Sequence, residues 1–109
     1  MLNYIEEQEL YGKSNYEIMA ELGKRFHDYR VALNMTQKDA AEQCGTNVMT
    51  ISRFENGNAG SIRLTTFIAM LRALSILENI YSTIPELPAV GAIPQTRVRR
   101  PSKIRKANI

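Results

Sequence analysis

The residues best suited to act on another molecule lie between Asn47 and Asn56. Set on a helix at about 100° per residue, Ile51 and Phe54 fall together on one side. Val48, Met49, Ser52, Arg53 and Asn56 spread over the opposite ~140°. One side is built to pack, and the other presents small, polar and long side chains. The presenting side holds a guanidinium, a hydroxyl and an amide but no carboxylate, which suits a groove lined by phosphates. Catalytic chemistry finds no comparable cluster. His27 is the single histidine and has no Cys partner, and neighbouring Asp28 is expected to point elsewhere on its helix. No Ser/His/Asp nucleophile set and no Gly-rich phosphate loop is seen, so no enzyme and no cofactor are expected. The lone Cys44 can form neither an internal disulfide nor a zinc pair, and reads as a small buried hydrophobe.

These residues need helices to hold them. Ser14-Asn15-Tyr16-Glu17 reads as a capping box that opens a helix. Ile18, Leu22, Phe26, Tyr29 and Leu33 follow at spacings of four, four, three and four, which predicts one buried face of a helix ending near Asn34. Thr36 caps a short helix over roughly 36–44, and Gly45 stops it in the left-handed conformation. Asn47 caps a third helix that ends near Asn56, with Gly57 after it. Leu64, Phe67, Ile68, Leu71 and Leu74 predict the apolar face of a fourth, and Leu77, Ile80, Tyr81 and Ile84 suggest a fifth. Strand signals are almost absent, so the expected fold is an all-α bundle of four to five short helices. Ala40 and Ala41 are small enough for two helices to approach closely at the turn around Gly45.

Three segments are expected. Residues 1–13 form an acidic N-terminal arm, loose or a short helix; 14–84 form the helical domain; 85–109 form a linker and tail. Pro85, Pro88, Gly91 and Pro94 deny the linker a continuous helix. Of the 109 residues, the last 20 hold six bases (Arg97, Arg99, Arg100, Lys103, Arg105, Lys106) and no acid, against 8 bases and 11 acids in the remaining 89. The basic balance therefore belongs to the tail, and a fold-wide basic footprint is absent. The tail can follow DNA phosphates, fold on an acidic protein surface, or stay solvated; charge does not decide among these. No apolar run is long enough to span a membrane, and the acidic N-terminus does not resemble a secretory signal. A cytoplasmic location is expected.

Two short helices joined at Gly45 make a helix-turn-helix pattern. Thr36-Gln37-Lys38-Asp39-Ala40-Ala41, then Gly45, then Thr50-Ile51-Ser52-Arg53-Phe54-Glu55-Asn56-Gly57 closely resemble the XRE-type helix-turn-helix family, whose fold is that of lambdoid phage repressors. The resemblance spans about Leu22 to Ile80. Leu64-Thr65-Thr66-Phe67 through Leu74 more loosely resembles the HipB-like antitoxins, which bind DNA and a kinase toxin. The resemblance implies that the third helix enters the major groove, with Asn47, Val48, Met49, Ser52 and Arg53 at or near base-reading positions. Arg53 is then suited to guanine O6 and N7, Ser52 donates or accepts, and Val48 and Met49 give apolar contacts such as one to a thymine methyl. It also implies that Gln37 binds a phosphate and braces the reading helix, that Asn56 contacts phosphate, and that Arg30 pairs with Glu55. Where the family usually has large aliphatic residues, this chain has Ala40 and Cys44, and Thr46 replaces a common Val. Phe26 and Phe54 are expected to fill that space. Arg63 stands where a capping residue is frequent.

The function expected from these features is a sequence-specific DNA-binding regulator, acting as a homodimer on a pseudo-palindromic operator in double-stranded DNA. The alternative is an antitoxin that also inhibits a partner toxin. A third reading is an interaction module that uses the same fold without DNA. The dimer surface is expected from Leu77, Ile80, Tyr81, Ile84, Leu87 and Val90.

Overall fold

A computed structural model describes residues 2–89; Val90 and the basic run 97–106 lie outside that range. Within it the chain folds as five α-helices and one 3₁₀ helix: α1 (Tyr4–Tyr11), α2 (Asn15–Ala32), α3 (Gln37–Cys44), α4 (Val48–Glu55), α5 (Leu64–Ala73) and the 3₁₀ helix Leu77–Ser82. No strand occurs among the described residues.

Local chemistry sets most of the helix ends. Asn3 with Glu6, Ser14 with Glu17 and Thr36 with Asp39 form reciprocal capping boxes that open α1, α2 and α3. A hydrogen bond donated by the Thr36 backbone N–H, reinforced by the Thr36 side chain, holds the Asp39 carboxyl below its ordinary range. A carboxylate whose folded pKa is lowered stabilises the fold above its unfolded pKa, and that contribution is lost as pH falls through the folded value. The start of α4 relies on Asn47, whose Oδ1 accepts from the Thr50 N–H at 2.8 Å. At the start of α5, Arg63 makes no side-chain cap.

The C-terminal ends repeat one device. Asn34, Gly45, Gly57 and Ser75 each take a left-handed φ, between 59° and 76°. Behind each, an N–H reaches back five residues: Met35 to Arg30 O, Thr46 to Ala41 O, Asn58 to Arg53 O and Ile76 to Leu71 O. This is the Schellman pattern, and it uses carbonyls that a helix end would otherwise leave unpaired. It turns the chain within two or three residues, so α2 to α5 can pack on one another.

The core is Phe26, Ala40, Ala41, Cys44, Ile51, Phe54, Met70 and Leu74. Phe26 and Phe54 meet edge to face, with centroids 5.8 Å apart and planes at 62°, in the same buried cluster as Ala40 and Cys44. Burial pushes the Cys44 thiol pKa up. Iodoacetamide should therefore alkylate Cys44 at least about 100-fold more slowly in the folded protein than in denaturant, because thiolate must form and be reached. Equal rates in the two conditions would place the thiol at the surface.

Three expectations about buried faces need correction. Tyr29 and Leu33 are each 47% exposed, and the buried stripe of α2 runs instead through Gly23, Phe26 and Arg30. Arg30 lies four residues beyond Phe26 and has a partner waiting across the core, so the stripe follows it. Leu64 is exposed at the uncapped start of α5, while Met70, absent from the expected face, is fully buried. Leu77–Ser82 is a 3₁₀ helix and not an α-helix; the Ser75 reversal precedes it and Pro85 follows it closely, so no second α-helical turn has room to develop. The N-terminal arm is a helix, α1, but it buries no residue. A link from Lys13 to Glu21 ties its exit to α2.

Candidate nucleic-acid interface

The orientation of α4 is determined by what its inner side touches. Ile51 and Phe54 are buried and face the core. Gly23 lets α2 cross directly over the end of α4: a Cβ built on Gly23 would lie 1.8 Å from the Phe54 carbonyl oxygen and 2.8 Å from its carbon. No side chain larger than hydrogen fits there. Sequence reading did not single out Gly23, although an isolated glycine inside a helical pattern is the available signal for close backbone approach.

The end of α4 is locked by a polar cluster. Arg30 Nε donates to Glu55 Oε2 at 2.6 Å, and Nη2 donates to Oε1 at 2.9 Å. Its Nη1 donates to the Met35 carbonyl at 2.8 Å. Gln37 Nε2, from the first turn of α3, donates to the same Glu55 Oε1 at 3.0 Å. Side-chain exposure is 10% for Arg30 and 2% for Glu55, so this ion pair is shielded from solvent. Hydrogen bonds to Glu55 hold the Arg30 guanidinium pKa above its ordinary value. The cluster joins α2, α3 and α4 at a single carboxylate. Arg30 and Glu55 are present as the pair the resemblance implies, and Gln37 is attached to it.

Among the described residues, nothing covers the outer side of α4. Val48 is 42% and Met49 57% exposed, and Arg53 is exposed with no salt bridge among the described residues. Ser52 is half-buried, and Asn56 Nδ2 donates to Ser52 Oγ at 3.4 Å. Asn47 sits at the helix start with its Oδ1 committed to the cap. Val48, Met49, Ser52, Arg53 and Asn56 thus share the outer side, Asn47 stands at its edge, and Gln37 approaches from α3 at the opposite end. No acidic side chain of α4 joins that side; the helix's one acid, Glu55, is turned inward to Arg30. Among the described residues no group of His, Cys, Asp and Glu is arranged to hold a metal ion. Asp28 does not point away from His27 as expected: His27 Nδ1 lies 3.2 Å from Asp28 Oδ1, because two exposed neighbours can rotate toward each other at the surface. No described helix is long and apolar enough to cross a membrane.

Two short helices, a left-handed turn between them and a second helix with one buried and one free side define a helix-turn-helix unit. Residues 26–76 match the model of the helix-turn-helix family. That segment belongs to the XRE-type helix-turn-helix family, a family of DNA-binding regulatory domains. Among curated proteins the sequence finds no match.

Proposed function

We propose that the chain is a sequence-specific transcription regulator, acting as a repressor, that binds a pseudo-palindromic operator as a homodimer. The observation that carries this reading is the two-sided α4: its inner side is fixed by Gly23, Phe54 and the Arg30–Glu55–Gln37 cluster, and its outer side is free of acids. In this reading Val48, Met49, Ser52 and Arg53 face base edges. Gln37 and Asn56 contact phosphates beside the C-terminal end of α4, Gln37 through its remaining amide hydrogen. Asn47 lies at the edge of the groove.

One copy reads about four or five base pairs, too few to select a site. Two copies on half-sites about one helical turn apart solve this. The support for a dimer is the exposed apolar stretch after α5: Tyr81 is 80%, Ile84 85% and Leu87 79% exposed. Leu77 and Ile80 are half-buried beside it.

Selection of random DNA by the purified protein tests the reading. An inverted repeat with half-sites about ten base pairs apart supports it. Absence of any preferred sequence overturns it, and co-purification of a kinase-like toxin would then favour the antitoxin alternative. On the selected site, Arg53→Ala should weaken binding by about 1–3 kcal/mol and relax the choice at one base pair. An equal loss on every sequence would make Arg53 a phosphate contact and remove it from base readout.

A further inference from the structure

Resting on the proposed function, we infer that the first turn of α4 reads pyrimidine 5-methyl groups, so that operator binding depends on thymine, or 5-methylcytosine, at one or two positions of each half-site.

The argument begins with the hydrogen-bonding groups already occupied. A side-chain amide reads adenine by accepting from N6 and donating to N7 together. Asn47 cannot do this while its Oδ1 accepts from Thr50, and losing that bond would uncap α4. Ser52 and Asn56 are engaged with each other one turn away from the start. Among the described residues, Arg53, five residues beyond Val48, is left as the one strong donor with no salt bridge on this side.

The N-terminal residues of a reading helix approach the base edges most closely. Here those residues are Val48 and Met49, both exposed and neither able to form a strong hydrogen bond. Neither is needed by the core, which is closed by Ile51 and Phe54 on the other side. The major groove offers one apolar feature to such side chains, the methyl group on pyrimidine C5. Thymine carries it, and cytosine carries it only when methylated. The flexible thioether of Met49 can follow such a methyl over a range of positions, and Val48 adds a branched surface beside it.

The experiment uses the selected operator duplex and measures affinity at fixed salt. Each thymine is replaced in turn by deoxyuridine, which removes the methyl and keeps every hydrogen-bonding group. At one or two positions per half-site the replacement should weaken binding about fourfold, the value of one buried methyl-sized group. A C·G pair at the same position should bind about fourfold more tightly when its cytosine carries a 5-methyl group. Met49→Ala or Val48→Ala should abolish the response at the matching position and retain sequence preference through Arg53. Both side chains are exposed, so neither variant should change the melting temperature.

Specific binding with no response to deoxyuridine would overturn the inference and leave the proposed function standing. A response that persists in both alanine variants would also overturn it, since the methyl would then act through DNA shape. Absence of any preferred sequence would overturn both.

Discussion

Gly23→Ala should destabilise the domain by about 3 kcal/mol, although alanine is the better helix former by about 1 kcal/mol. At an open helical position the exchange would raise stability. At Gly23 the new methyl would stand 1.8 Å from the Phe54 carbonyl oxygen, a backbone atom that cannot rotate away. Either α2 must move outward or α4 must tilt. Both movements open the Phe26–Phe54 contact and disturb the reach of Arg30 to Glu55, which spans the same two helices. For a domain of this size, 3 kcal/mol corresponds to roughly 15 °C in melting temperature. Thermal unfolding followed by circular dichroism measures it. Gly12→Ala is the control, because a Cβ at Gly12 would meet its nearest neighbour at an ordinary 3.4 Å. It should change stability by no more than about 0.5 kcal/mol. If Gly23→Ala melted at or above the parent temperature, the direct backbone crossing would be refuted.

Glu55→Ala has the second large effect, and its double variant has an opposite one. Removing the carboxylate leaves the Arg30 Nε and Nη2 without partners at a nearly closed site, and strips Gln37 of its acceptor. An uncompensated charge in such a place costs about 3–5 kcal/mol. Arg30→Met alone leaves the same problem reversed, with a shielded carboxylate held only by Gln37. Arg30→Met combined with Glu55→Leu removes both charges and keeps the volume. That double variant should be within about 1 kcal/mol of the parent, or more stable. Urea unfolding of the parent, Arg30→Met, Glu55→Leu and the double variant completes a double-mutant cycle. Additive losses would mean that the pair contributes nothing as a pair. The double variant also separates two roles. If the cluster serves to aim α4, the restored stability should not restore affinity for the selected operator, since Gln37 would have lost its attachment.

The parts of this molecule that were legible in its sequence are those set by short-range chemistry. Ser14 with Glu17, Thr36, Gly45 and Asn47 act within four residues of themselves, and each ends or begins a helix where its type implies. The separation of Ile51 and Phe54 from Val48, Met49 and Arg53 follows from helical geometry alone, and the same five side chains divide the same way in space. The failures have a common origin in the packing of distant segments. Tyr29 and Arg30 are 100° apart on a helix, and periodicity favoured the apolar one. The side of α2 that turns inward was decided instead by Glu55, 25 residues later. Gly23 carries no side chain, so hydrophobic patterning passes over it; its importance lies entirely in the carbonyl that arrives from Phe54. Met70 is in the core and Leu64 is not, because the packing of α5 on α3 selects the buried side, an arrangement no local pattern encodes. Of the residues expected to meet DNA, Val48, Met49 and Arg53 are exposed on α4, while Gln37 braces Glu55 and Asn47 caps the helix.

The division of α4 into two sides also has an evolutionary meaning. Substitutions on its outer side remove no core contact and no ion pair, so they should lie within about 0.5 kcal/mol of neutral for folding. Domains persist close to a stability threshold, and changes that leave that margin intact accumulate freely. Val48, Met49 and Arg53 can therefore vary in a descendant lineage without a compensating change in the scaffold. A duplicated copy of such a gene is then free to acquire a different target by a few single-residue steps, each passing through a folded and soluble intermediate.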